Sequence, residues 1–268
     1  MTRVAIHGAA GRMGRNLLAA CIDDAALTLV AAIEHADHPS LGRDAGEIAG
    51  RGSVGVRLES MESALPAFDV AVDFSRPDAA LSLAKECVAR HAAVVIGTTG
   101  FDPAQKAEIG QHAGATPIVM APNMGVGINL VFGLVEAAAR TLGDDYDAEI
   151  QESHHRHKVD APSGTALRLG EVVAAGRDRK LEEVAASPRH GQMAPRERGE
   201  IGFAVSRGGD IVGEHTVLFA GDGERIEITH RASSRQVFAV GAMRAAAWVH
   251  GRRPGLYDMQ DVLSLALA

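Results

Sequence analysis

The chain has 268 residues, 46% of them hydrophobic and 23% charged, an ordinary composition for one large or two average globular domains. A formal net charge of -7 and an aromatic content of 4% argue against nucleic acid as the main partner and against a stacking platform for single strands. Two isolated cysteines, Cys21 and Cys87, make neither a disulfide framework nor a zinc site and fit a reducing compartment.

Residues 3–7 (Arg-Val-Ala-Ile-His) predict a short buried strand, and 15–22 a helix. Met1-Thr2-Arg3 leads straight into that strand, so no leader is expected. No stretch reads as a transmembrane span, and a cytoplasmic protein without membrane partners is expected. Between strand and helix lies Gly8-Ala9-Ala10-Gly11-Arg12-Met13-Gly14, a G-x-x-G-x-x-G variant of the dinucleotide fingerprint in its strand–turn–helix context. Gly8 allows the tight turn, Gly11 lets the backbone approach a pyrophosphate, and Gly14 lets the helix pack closely on the strand. The next strand, 27–33, ends at Glu34, an acidic residue placed to accept hydrogen bonds from the adenosine ribose. The plain alternative is a βα turn that uses glycine for geometry alone.

Further strands are predicted at 54–58, 70–74, 94–97 and 118–120, with helices at 77–91 and 103–112. Continuous apolar strands alternating with helices imply a parallel sheet covered on both faces. Ligands of such sheets bind beyond the C-terminal strand ends, where Gly97-Thr98-Thr99-Gly100 and Ala121-Pro122-Asn123-Met124 lie. Their small residues would let a flat ring approach the backbone, or they are simple βα turns.

The pattern changes after about 125. A helix is predicted at 128–142, a strand from 148, a helix from Ser163 to about 175, a surface loop at 187–198, alternating strands at 201–205, 211–219 and 225–230, and helices at 237–249 and 259–267. The expected fold class is α/β: a Rossmann-like, doubly wound parallel sheet plus a second α+β domain with a mostly antiparallel sheet. The expected domains are 1–125 with 236–268 for the dinucleotide, and 126–235 for substrate binding and oligomerisation.

The most informative stretch is 149–166, EIQESHHRHKVDAPSGTA. His154, His155, Arg156, His157 and Lys158 put groups that can carry positive charge beside a predicted helix N-terminus, whose backbone N–H groups attract anions. That suits a small dicarboxylate, and the imidazoles can exchange protons near neutral pH. A metal is not favoured, because no second ligand cluster appears and Arg156 and Lys158 would repel a cation. A solvated basic turn is the bland alternative; Ser163 as N-cap weighs against it. Nucleophilic catalysis lacks support, with no cysteine near the run and no G-x-S-x-G elbow. Reduction by a nicotinamide remains, with carboxylate clamps and a proton donor.

The stretch 153–165, SHHRHKVDAPSGT, resembles the signature of the 4-hydroxy-tetrahydrodipicolinate reductase (dihydrodipicolinate reductase) family. The likeness spans the chain, through 4–14, Asp73-Phe74-Ser75-Arg76-Pro77, 97–101, Gly213-Glu214-His215-Thr216 and 227–235. It implies a cyclic imine dicarboxylate reduced with NADH or NADPH in lysine/diaminopimelate biosynthesis, by a cytoplasmic homotetramer built through the second domain's sheet. By the same resemblance, His154 is the proton donor or acceptor and Lys158 its partner. His155, Gly164 and Thr165 hold substrate carboxylates. Gly8, Ala9, Ala10, Gly11, Arg12, Met13, Glu34, His35, Gly97, Thr98, Thr99, Ala121, Pro122, Asn123 and Met124 hold the cofactor. One departure bears on the cofactor: His35 stands where many relatives carry an arginine that meets the NADPH phosphate, and Arg12 is the candidate to replace it. Another two-domain amino-acid dehydrogenase and a non-catalytic NAD(H) sensor are the alternatives. The first, if a semialdehyde dehydrogenase, would want a nucleophilic cysteine, and the second a DNA-binding module.

Overall fold

The computed structural model describes residues 1–186 and 189–264. In chain order its elements are β1 (Thr2–His7), α1 (Arg12–Asp23), β2 (Leu27–Glu34), α2 (Ala45–Ile48), β3 (Leu58–Ser60), β4 (Val70–Asp73), α3 (Pro77–Arg90), β5 (Ala93–Ile96), α4 (Pro103–Ala113) and β6 (Pro117–Met120). There follow α5 (Val126–Leu142), β7 (Asp147–His154), α6 (Gly164–Gly176), α7 (Leu181–Val184), β8 (Ile201–Arg207), β9 (Gly213–Gly221), β10 (Glu224–Ala232), α8 (Gln236–Val249), β11 (Gly255–Tyr257) and α9 (Met259–Leu263). The chain divides into two compact units, Met1–Val126 with Arg235–Ser264, and Gly127–Ser234.

The first unit holds a seven-stranded parallel sheet in the order β11-β6-β5-β4-β1-β2-β3. The order reverses between β1 and β4, and ligands of such sheets bind at this switch point. Successive residues of a strand point to opposite faces, and both faces are buried here. Val4, Ile6, Val70 and Val72 pack with Leu17 and Leu18 of α1 and with Ala242, Ala245 and Ala246 of α8. Ala5, Ala71, Val94 and Ile96 pack on the other side with Leu83 of α3 and Ile109 of α4. The alanine-rich sequence of α8 permits close approach: a Cβ on Gly241 would sit 1.8 Å from the Met124 carbonyl oxygen.

One expectation needs correction in this unit, and two further details complete it. Of the predicted 54–58 strand only Leu58 belongs to a strand, β3, while Arg57 makes a single antiparallel bridge to Asp44. The preceding residues are captured by Asp44, whose carboxylate accepts from the N–H groups of Gly46, Val54 and Gly55 and from the Ser53 hydroxyl. Those bonds, led by the one from Val54, hold the Asp44 carboxyl down at about 2. The short β11, pairing with β6, was not anticipated. The last predicted helix is present as Met259–Leu263, and its expected continuation through 265–267 lies outside the described residues.

The second unit carries a four-stranded sheet, β10-β9-β7-β8. β9 runs antiparallel to β7 and β10, but β8 is parallel to β7, so the sheet is mixed though mostly antiparallel. One face packs Ala148, Ile150, Val217 and Phe219 against Ile128, Phe132 and Val135 of α5 and Leu169 and Val173 of α6. The other presents Glu149, Gln151 and Ala204, half-buried to exposed. The stretch 126–145 is long and apolar enough to cross a membrane by length and composition, with mean hydropathy 1.3, contrary to the reading that no stretch qualifies. Its apolar side belongs to this unit's core. Of the predicted loop 187–198, residues 189–198 form neither helix nor strand, while 187 and 188 lie outside the described residues.

Candidate active site

The glycine loop follows β1 at the switch point. Gly8 has φ +71°, in the left-handed region, with the Phe74 carbonyl 3.0 Å from where a Cβ would stand. Gly14 has no room for any side chain: a Cβ would lie 2.1 Å from the Gly8 carbonyl oxygen and 2.5 Å from that of Ala9. Gly11 is the N-cap of α1, with 3.2 Å from a built Cβ to the Gly8 oxygen. The Glu34 carboxylate reaches back to the loop, accepting from Ala10 N at 3.0 Å and from His35 N at 3.1 Å. Gly8, Gly11, Glu34 and His35 line a cleft of about 830 Å³ together with Glu62, Arg76 and Asp78. A cleft of that size, with a helix N-terminus and an acidic residue at the end of β2, fits a dinucleotide.

The remaining cofactor candidates of this unit divide by exposure. Ala9, Ala10, Ala121, Thr98 and Met124 are buried, Met124 within the apolar core, so only their backbones could face a ligand. Thr99, Pro122 and Arg12 are exposed; Asn123 and Met13 are half-buried. The Asn123 side chain accepts from Gly125 N. Arg12 is absent from the cleft lining, whereas Arg76 is part of it. The space that Gly97 leaves is filled by the Phe74 ring, 2.1 Å from a built Cβ, rather than standing open to a flat ring as expected.

Sequence reasoning also missed the buried carboxylate behind these loops. Asp73, fully buried, accepts from the Thr98 hydroxyl at 2.5 Å and the Ser75 hydroxyl at 2.5 Å and pairs with His7 Nδ1 at 2.7 Å. The loops after β1, β4 and β5 are thereby tied at one point. Two of the partners, His7 and Thr98, stand 66 and 25 positions from Asp73, too far for any local sequence signal.

In the second unit the basic run starts at the end of a strand. His154 is the last residue of β7, on its buried face, and Lys158 sits on the loop that follows. Residues 155–162 turn back, closed by Lys158 N donating to His155 O at 3.1 Å, and pass a cis Ala161–Pro162 bond into α6. Ser163 caps that helix, its hydroxyl accepting from Ala166 N at 3.2 Å. Gly164 opens α6, where a backbone N–H has no intrahelical acceptor, and a Cβ there would meet open space. Thr165 follows, half-buried. His155 is half-buried with its Nδ1 enclosed and unbonded; Arg156 and His157 are exposed. Lys158 Nζ pairs with Asp160 Oδ1 at 2.8 Å, which holds the Asp160 carboxyl below its usual range against the opposing pull of burial.

Behind this loop lies Glu152, whose guanidinium partner, Arg207, is 55 positions away in sequence. Its side chain is fully buried. It meets His154 Nδ1 at 2.6 Å, accepts from Ser163 N at 2.9 Å, and takes two bonds from the Arg207 guanidinium at 2.8 and 2.9 Å. Burial alone would raise its pKa; Arg207, His154 and Ser163 N override that and hold it ionised, below the usual range. Burial pushes the His154 imidazole down, only partly offset by Glu152, so it is mostly neutral at pH 7. Gly213 faces it: a Cβ there would lie 3.0 Å from His154 Nε2.

His215 stacks edge-on to His154, with ring centroids 5.1 Å apart, and bonds to the Ser163 hydroxyl at 3.1 Å. Burial drives its pKa from 6.5 to about 4. The unfolded chain therefore binds a proton there that the folded protein refuses. The stability from this group is whole above pH 6.5 and is lost as pH falls toward 4, by on the order of 3 kcal/mol. Thermal melts of the parent and His215→Gln between pH 4.5 and 7 are expected to show a flatter decline in the variant; equal slopes would acquit His215. Among the described residues, no group of three or more His, Cys, Asp or Glu could hold a metal ion. Both cysteines are buried, their thiols pushed up to about 12.

Two family models cover nearly the whole chain. Residues 2–124 match dihydrodipicolinate reductase, N-terminus, and 127–263 match dihydrodipicolinate reductase, C-terminus. Among solved structures, the chain is similar to a dipicolinate-bound dihydrodipicolinate reductase from Paenisporosarcina sp. TG-14, at 25% identity and a TM-score of 0.74, over 97% of this chain and 98% of that one. A probable dehydrogenase from Thermotoga maritima (11% identity, TM-score 0.63, 99% and 94% covered) shares the fold. So does a myo-inositol dehydrogenase from Corynebacterium glutamicum (16% identity, TM-score 0.57, 100% and 94% covered).

Proposed function

The chain belongs to the dihydrodipicolinate reductase family, and from that premise we propose how its residues divide the reduction of 4-hydroxy-tetrahydrodipicolinate, a cyclic imine dicarboxylate of lysine/diaminopimelate biosynthesis, by NAD(P)H. The observation that carries the reading is the one loop, 155–162, that places His154 at one end, Lys158 on its turn and the α6 N-terminus at the other end. When bound, NAD(P)H supplies the hydride.

Gly164, Thr165 and His155 receive the substrate carboxylates at the start of α6, where backbone N–H groups and the helix dipole favour anions. Lys158 gives a proton to the ring once the ring has become electron-rich; His154, mostly neutral, takes or relays a proton. Cationic groups around a dianion also lower the cost of enclosing it. In the first unit, residues 8–13 embrace the pyrophosphate, Glu34 turns from Ala10 N to the ribose, and Gly97 to Thr99 with 121–124 line the nicotinamide through their backbones. The assay is oxidation of NADH or NADPH with substrate generated in situ from pyruvate and aspartate semialdehyde; no turnover with either cofactor would refute the reading.

NADH is expected to serve at least as well as NADPH. The cleft offers Glu34, Glu62 and Asp78 against Arg76 and His35, an acidic balance that disfavours a 2′-phosphate. Steady-state kinetics with both cofactors measures this; a kcat/KM ratio favouring NADPH by more than about tenfold, about 1.4 kcal/mol, contradicts it.

A homotetramer is the expected assembly, in the cytoplasm. Among the described residues the helices packed on the sheet of the second unit lie against one face, and the other, where Gln151 and Ala204 are exposed, invites a cover from symmetric copies. Light scattering at low micromolar concentration is expected to report four chains. A stable monomer would discard the sheet-to-sheet packing.

A further inference from the structure

We propose that Glu152 and Arg207 are a positioning pair that fixes the tautomer and orientation of His154 and the two ends of the loop bearing Lys158. The Glu152 carboxylate lies against His154 Nδ1, so Nδ1 carries the hydrogen and Nε2 is left bare. The second oxygen of Glu152 accepts from Ser163 N, which fixes where α6 begins. Arg207 closes the arrangement: besides both Glu152 oxygens it donates to the Asp160 carbonyl at 2.6 Å. Asp160 and Ser163 bound the turn that delivers Gly164, and His154 bounds it on the other side. One carboxylate and one guanidinium thus set the relation between the proton-handling imidazole and the anion-receiving helix start.

The arrangement is costly as mere structure. A buried ion pair contributes little net stability compared with apolar residues of the same volume. Here every Glu152 bond goes to a group at the site or to Arg207, which is what orientation of a reacting side chain requires. The charged and titratable groups around His154 are Glu152 on its own strand, Lys158 and Asp160 on the loop, Arg207 at the end of β8 and His215 on β9. Glu152 is the anion that bonds the ring directly.

The inference rests on the reading of His154 as a site residue, so it is tested with a readout that needs no turnover. Nitrogen NMR of the His154 ring in the full-length parent is expected to show a neutral ring protonated at Nδ1. In Glu152→Gln the signals are expected to move to a tautomer mixture, and the titration midpoint of His154 to move to lower pH, since the anion favouring its charged form is gone. In the same variant kcat is expected to fall by about 10², with the acid limb of the pH profile displaced in the same direction and NADH affinity unchanged. Arg207→Lys, which keeps a charge but loses the fork, is expected to show a milder form of each change and decides the matter if Glu152→Gln does not fold. A variant that melts earlier but keeps the parental His154 tautomer, midpoint and kcat would make the pair structural and overturn the proposal. Loss of parental turnover alone would strike the functional reading and leave the nitrogen data to judge the pair.

Discussion

Replacing Lys158 or His154 by alanine is expected to lower kcat by about 10² or more, the usual contribution of a positioned acid or base. The loss should appear at saturating substrate, because neither replacement touches the nucleotide loop, and NADH titrated by fluorescence should bind as it does to the parent. Stability separates this from unfolding. Lys158 is bound to a half-exposed Asp160, and such pairs contribute about 0–1 kcal/mol, so Lys158→Ala should melt close to the parent. His154→Ala leaves Glu152 with Arg207 and Ser163 N, so the carboxylate stays bonded. Thr165→Val, at the carboxylate-receiving end, is expected to raise KM while sparing kcat, as for an interaction made equally in ground and transition states. Near-native kcat in both alanine variants would reduce the basic run to a solvated turn.

The second large effect is expected at the glycine loop. Gly14→Ala places a methyl 2.1 Å from the Gly8 carbonyl oxygen and 2.5 Å from that of Ala9, and both obstacles are backbone. The loop must shift away from α1, at a cost of about 3 kcal/mol or more, and NADH binding should vanish with it. Gly11→Ala is the control. Its methyl would come no closer than 3.2 Å to the Gly8 oxygen, so the fold should tolerate it. Yet Gly11 lines the cleft, so NADH affinity should drop with little change in melting temperature. Equal thermal stability of Gly14→Ala and the parent would refute this account of the turn.

The sequence made some of this legible and hid the rest for physical reasons. The glycine loop can be read because its requirements are local: a left-handed φ at Gly8, and no Cβ at Gly14. The Ser163 cap and the helix behind it are local too. The alternation in 201–205 and 211–219 predicts strands, but it is the same whichever way a neighbour runs, so the parallel β8 could not be told from an antiparallel one. The 54–58 stretch looks extended by composition, but Asp44, ten residues before Val54, competes for its backbone N–H groups. Glu152, Arg207, His215 and Asp73 were invisible as a group because each gains its meaning from a partner far along the chain; Arg207 stands 55 positions from Glu152.

The discontinuity of the first unit bears on how the chain is made. Its sheet is flanked on one side by α1 and α8, and α8 belongs to the last stretch of sequence. A ribosome releases β1 to β6 early, with Val4, Ile6, Val70 and Val72 facing a place that Ala242, Ala245 and Ala246 will not occupy until residues 127–234 have emerged. During that interval every element of the second unit has been made, while the first waits with an apolar face uncovered. Such a face is the kind of surface on which nascent chains associate wrongly. Order of synthesis and order of completion are therefore inverted: the unit that begins first finishes last. A chain cut after residue 234 would retain every strand of the second sheet and most of the first, and still lack the lid that keeps the first one dry.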